Sequence, residues 1–244
     1  RNDPIRMTSD QPRGERARAD WGGLILLGRA PGEAGEDATA EVGGFQYGGN
    51  DAEDDSGSIT YLILNYAGAQ INSESQFNGL TLYTIGSGTT IDNVAILNGT
   101  DDGVEFFGGT VNASNFYLEN NEDDAVDWTE GWNGTLTNTY VLHTIEGFST
   151  AIEADGGDTF GVPSIVNFTA FSETGGTALQ FKAETGADMS EVRLTGYDTN
   201  LDFPLAGRDI SSVVVDGTPL ETVDDDVFNG TAVDLSIFDW AFQD

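Results

Sequence analysis

The chain has no cysteine, one histidine and one lysine, and each shortage removes a class of chemistry. Without thiols it can build neither a disulfide scaffold, a zinc–thiolate site nor a cysteine nucleophile, while the redox compartment stays open. A lone His143 excludes any site with several histidine ligands. No run approaches the ~20 apolar residues of a membrane span, and no signal peptide is recognisable. Nine bases stand against 42 acids in 244 residues, a formal charge of −33. Such a charge repels duplex nucleic acid and anionic lipid, so both are set aside as partners.

What is present argues for a folded protein. An apolar content of 38% with four Trp, seven Tyr and 14 Phe is enough for a packed core, although the charge alone would favour disorder. Five Asn-x-Ser/Thr sequons begin at Asn98, Asn112, Asn133, Asn167 and Asn229. In a chain rich in Asn and Thr these read first as turn chemistry, and only secondarily as a hint of export.

The main signal is a repeat. A short apolar-x-apolar strand recurs at Leu80-Thr81-Leu82, Val104-Glu105-Phe106, Val126-Asp127-Trp128, Ile152-Glu153-Ala154 and Leu179-Gln180-Phe181, at offsets of 24, 22, 26 and 27 residues. Each is followed by a second strand, and asparagine falls at or beside one phase of four of them: Asn93, Asn115, Asn138 and Asn167. Alternating apolar residues between Gly/Asn/Asp/Thr turns, without helical periodicity, mean an all-β chain. Like residues at like phase coil after coil mean a right-handed parallel β-helix with coils of about 22 residues. Leu80, Val104, Val126, Ile152 and Leu179 are expected to form one internal stack. Leu82, Phe106, Trp128, Ala154 and Phe181 form the next, and the asparagines a side-chain amide ladder in a turn.

The expected organisation is one domain, with residues 1–200 as the solenoid carrying a Gly/Asp/Glu-rich excursion at about 30–57. Residues 201–244 supply the last coil and a C-terminal cap, in which Val213–Val215 and Phe238-Asp239-Trp240 shield the core.

Over residues 1–200, the segments WGGLILLGRAP, GGNDAEDDSGSITYLILNYAG, NGLTLYTIGSGTTIDNV and DDGVEFFGGTVNASNFYLENNEDDAVDW resemble a family of bacterial outer-surface proteins. Its members, often labelled lipoproteins and common in marine and Bacteroidetes-type genomes, are predicted β-helices without an established activity. The resemblance implies an extracellular or outer-surface location, and coils or an anchor preceding the NDPI segment.

Candidate chemistry concentrates in acids. Asp101, Asp102 and Glu105 on one coil face Glu122, Asp123, Asp124, Asp127 and Glu130 on the next. Equivalent positions of adjacent coils lie ~4.8 Å apart, so Glu105, Asp127 and Glu153 should form an outward vertical row of mutually repelling carboxylates. Calcium, which takes six to eight oxygens with tolerant geometry, is the cation that matches Asp101, Asp102, Glu105, Asp123, Asp124 and Asp127 best. The plain alternative is a solvated acidic face. A second acidic loop, Asn50 to Asp55, lacks the glycine and terminal glutamate of an EF-hand.

An enzymatic reading uses the same acids. TDDG at 100–103 resembles the Asn-Thr-Asp-Gly element and EDDA at 122–125 the paired-aspartate element of polygalacturonase-type hydrolases, with His143 and Lys182 following in the family's order. That resemblance implies Asp102, Asp123 and Asp124 as acid and base, but Thr100 and Gln180 depart from the pattern and His143 lacks flanking glycines. The preferred reading is a non-enzymatic structural, adhesive or glycan-binding module whose partner is a surface glycan, a protein or another copy of itself. A neutral-polysaccharide hydrolase is the alternative. Outward aromatics Tyr83, Phe107, Trp132, Tyr117 and Tyr140 could stack on sugar rings, unless they are buried beneath the excursion or at coil corners.

Overall fold

The computed structural model describes residues 3–72, 75–156, 161–182, 185–203, 212–220 and 225–243. Two parallel sheets enclose the core. The short sheet runs Leu24–Leu27, Leu80–Tyr83, Val104–Phe107, Val126–Thr129, Ile152–Ala154, Thr177–Phe181, Thr199–Asp202. The long sheet runs Ile5–Met7, Ser58–Asn65, Thr90–Leu97, Asn112–Glu119, Thr135–His143, Ser164–Ser172, Ala187–Thr195, Val213–Val215, and ends on an antiparallel partner, Thr218–Pro219. Consecutive strands alternate between the sheets through most of the chain, and each pairs with the strand one coil on, which makes the chain a parallel β-helix.

Both expected stacks form. Leu80, Val104, Val126, Ile152 and Leu179 are in register, as are Leu82, Phe106, Trp128, Ala154 and Phe181. All are buried. Each large side chain so covered contributes roughly 1.5–3 kcal/mol relative to exposure. A small residue must precede each stack, because a Cβ on Gly79 would lie 2.4 Å from Ile96 and one on Gly103 2.5 Å from the Ala125 carbonyl.

The asparagine ladder lies within the long strands, not in a turn between strands. Tyr61, Asn93, Asn115, Asn138, Asn167 and Glu191 each adopt a φ between 53° and 58°. The backbone register skips this position: Thr60 pairs with Asp92 and Leu62 with Val94, leaving Tyr61 and Asn93 between them. Each long strand therefore bends here. Asn tolerates the left-handed region better than other residues with a Cβ, and its amide replaces the missing ladder contact. Asn167 donates to Asn138 at 2.8 Å, Asn138 to Asn115 at 3.0 Å, and Asn115 to Asp92 at 2.6 Å.

The excursion carries a small hairpin, Ala38–Thr39 with Gln46–Tyr47, that lies on the outer face of the short sheet. There Tyr47 packs on Tyr83, and Tyr83 stacks on Phe107 at 4.3 Å. Trp132 turns inward onto Phe106 at 4.0 Å. Tyr117 and Tyr140 stack at 5.8 Å beside the C-terminal segment. The five aromatics read as candidate sugar platforms are thus covered or half-covered by the chain itself.

The C-terminus corrects one expectation. Val213–Val215 does extend the long sheet beyond the last full coil, but Phe238 and Trp240 do not shield that coil. The terminal segment runs back along the outside of the long sheet. Val233 N donates to Thr169 Oγ1, Phe238 packs on Tyr117, Trp240 on Tyr61, and the Gln243 carbonyl accepts from Arg6 on the first strand. The outward positions Ile63, Ala95, Tyr117 and Tyr140 offer an apolar stripe in register, and it is this stripe that the segment covers.

Candidate functional site

Two rows of carboxylates meet at one corner of the helix. The first lies just before the short strands, where Asp102 and Asp124 are both buried. Asp124 N donates to Asp102 Oδ1 at 3.0 Å, and Thr150 Oγ1 donates to Asp124 Oδ1 at 2.5 Å, so these aspartates belong to a polar ladder that turns the corner. Exposed Asp123 and half-buried Asp101 flank them. The second row is the expected one: Glu105, Asp127 and Glu153 are in register on the outer face of the short sheet.

That row is not the bare outward face its spacing suggests. Asp127 is only 9% exposed. Glu41 from the excursion and Gln70, Ser75, Gln76 and Asn78 from the preceding coil's loop join Asp101, Asp102 and Glu105 around a cavity of about 290 Å3. Asn78 Nδ2 donates to Glu105 Oε2 at 2.5 Å. Glu153 is compensated by Lys182, whose Nζ lies 2.5 Å from Glu153 Oε1. Asp127 Oδ1 is buried with no hydrogen-bond partner among the described residues.

The electrostatics follow from this crowding. Asp101, Asp102 and Asp123 bring oxygens within 4.8 Å of one another, and so do Asp102, Glu105 and Asp127. At such a separation, two full charges repel by on the order of 3 kcal/mol even at an effective dielectric of about 20. Burial, then Asp127 and Asp124, push Asp102 well up; burial, then Asp102, do the same to Glu105. Burial, then Glu105 and Glu153, raise Asp127, with Lys182 acting the other way. Burial with Asp123 pushes Asp101 up to about 7, and burial with Glu153 pushes Asp124 up to about 7. The cluster as a whole requires protons or a cation.

Of the residues named from sequence, the corner unites Asp101, Asp102, Glu105, Asp123, Asp124 and Asp127, with Lys182 at its far side through Glu153. His143 lies elsewhere. It is buried on the long sheet, stacked on Phe148 at 3.7 Å with Nδ1 3.0 Å from the Tyr197 hydroxyl, and burial lowers its pKa to about 4. Glu122 pairs with Arg18, and Glu130 accepts from Tyr47 at the excursion. In the 50–55 loop, Asp51 and Asp55 cap backbone N–H groups at Glu53 and Gly57, and Asp54 accepts from Ser56.

All five sequon asparagines are tied into hydrogen bonds, through Asn65, Thr135, Val162, Asn138 and Asp226. Glu41, Gln76 and Asn78 escaped the sequence reading because nothing in their local pattern marks them. The long-range packing of the excursion and the 70–78 loop brings them to the acids.

The described residues contain no helix long and apolar enough to cross a membrane. None of the curated proteins compared with the chain matches it. A family model described as the pectate-lyase-like β-helix domain matches residues 1–233, and the chain belongs to that family.

Proposed function

We propose that this member of the pectate-lyase-like β-helix family is an exported, surface-displayed binding module, without catalytic activity, whose acidic corner holds a divalent cation of the calcium type. One observation carries the reading: Asp102, Glu105 and Asp127 converge within 4.8 Å while Asp127 Oδ1 is buried and unpartnered. A hard cation supplies the missing partner and offsets the repulsion, and the neighbouring carbonyls, Gln76 and Asn78 can complete an oxygen shell. The likeness to outer-surface proteins supports the location, and abundant cations outside the cell would screen the charge of −33.

The same geometry weighs against the hydrolase reading. Glycosidase carboxyl pairs stand ~5–9.5 Å apart across the bond they cleave, with space for water or sugar between them. Here Asp102 and Asp124 are buried and held in the corner ladder, where Asp102 accepts from Asp124 N and Asp124 from Thr150. The test is calorimetric titration of EDTA-treated protein with calcium, alongside a reducing-end assay on neutral polysaccharides. Saturable calcium binding with no sugar release is expected. Sugar release that disappears in Asp102→Asn, or an absence of any calcium heat, overturns the proposal.

A further inference from the structure

We propose a second site at the N-terminal end of the solenoid: a pocket for one oxyanion group of the sulfate type, free or carried on an otherwise neutral sugar. Five of the nine basic residues fall within the first 18 positions. Three of them, Arg6, Arg13 and Arg16, line a cavity of about 130 Å3 together with Met7, Thr8, Ile63 and Asn65. In a chain with 42 acids, none of the three forms an ion pair among the described residues, where the pairs are Arg18–Glu122 and Lys182–Glu153.

Two acids of the same loop are turned to other work, and the exposed Glu15 forms no ion pair among the described residues. Asp20 accepts from the Ser9 hydroxyl and from Ala17 N, and Asp10 from Gln11 Nε2. Two of the guanidinium groups are oriented by carbonyls: Arg16 Nε donates to Gln11 O at 3.0 Å and Arg6 Nη2 to Gln243 O at 2.5 Å. Each guanidinium carries five N–H donors, so most are left to solvent or to a ligand.

Thr8 also lines the cavity, and its buried hydroxyl has no hydrogen-bond partner among the described residues. Three like charges around one cavity, with donors in excess, call for an acceptor-rich anion, and guanidinium forks match oxyanions in a bidentate manner. Met7 and Ile63 give the pocket an apolar wall that strengthens such bonds. A densely charged polymer would be repelled by the rest of the surface, so the occupant is a single anionic group.

The test titrates the full chain by calorimetry, at ionic strength held constant with sodium chloride, using sodium sulfate, galactose 6-sulfate and galactose as probes. Saturable binding of sulfate, galactose 6-sulfate or both is expected, with none of galactose. The double variant Arg13→Gln/Arg16→Gln, which alters solvent-facing loop positions, should weaken binding at least tenfold with an unchanged circular dichroism spectrum. Arg193→Gln, on another part of the long sheet, should bind as the parent does. Binding of inorganic sulfate alone assigns the pocket to the free ion, whereas tighter binding of galactose 6-sulfate assigns it to a glycan-borne group. No saturable heat with either anion, or equal binding by the double variant, overturns the proposal.

Discussion

Asp127 stands in register with Glu105 one coil away, and its buried Oδ1 has no hydrogen-bond partner among the described residues. Two carboxylates in this relationship do not stabilise a fold by themselves; they are tolerated because something else compensates.

Neutralising the inner carboxylate should separate stability from cation binding. Asp127→Asn removes a charge repelled by both Glu105 and Glu153. In EDTA the variant should therefore melt a few degrees above the parent, corresponding to about 1–2 kcal/mol. Calcium should raise the melting temperature of the parent and leave the variant unmoved. Thermal melts with and without calcium decide this, and an equal calcium response in the two proteins would remove Asp127 from the site.

The metal-free protein should grow less stable as pH rises. Asp101 and Asp124 are pushed up to about 7 from a usual value near 3.8, so between those limits the native state binds more protons than the unfolded chain. Their contribution is complete below the unfolded value and is lost as pH climbs through about 7. Urea denaturation in EDTA should give a lower free energy at pH 8 than at pH 5. Calcium affinity should run the other way, falling below pH 7 as protons compete for the same oxygens. A flat profile in EDTA would mean that these carboxyls are ionised throughout.

His143 should produce the opposite slope. Its burial lowers the pKa from 6.5 to about 4, so the unfolded chain takes up the proton first and this contribution is lost as pH falls from about 6.5 to about 4. In His143→Phe that loss disappears. The difference in stability between parent and variant should change by up to about 3 kcal/mol across this window, read by denaturation at pH 4 and pH 7. A pH-independent difference would show that the imidazole does not titrate on unfolding.

The amide ladder should distinguish substitutions by backbone as much as by side chain. Asn138 has a φ of 56°, donates to Asn115 and accepts from Asn167. Asn138→Gly keeps the conformation and loses the amide contacts, whereas Asn138→Val loses both. Valine should cost about 1–2 kcal/mol more than glycine, the penalty for a β-branched residue in the left-handed region. Equal destabilisation would locate the ladder's contribution entirely in its hydrogen bonds.

The legible part of this protein is the part that repeats. Val104, Val126 and Ile152 sit at like phase in the chain because each packs on the residue one coil away. Periodicity therefore reports the stacks, the asparagine ladder and the register of Glu105, Asp127 and Glu153 before any coordinates exist. Burial of that register was not legible. Glu41 and Asn78 reach the acids through an excursion and a loop whose own sequences do not alternate or recur, and the terminal Phe238 and Trp240 carry no mark of the outer stripe they cover.

The solenoid, its coil length and the places where negative charge accumulates are written in the chain's pattern, since these depend on contacts repeated from coil to coil. The folded chain alone reveals that the acidic row is enclosed, that His143 stands apart from it, and that three arginines pairing with no acid among the described residues share one pocket. Those outcomes depend on single long-range contacts between non-repeating segments, for which one chain's pattern holds no signal.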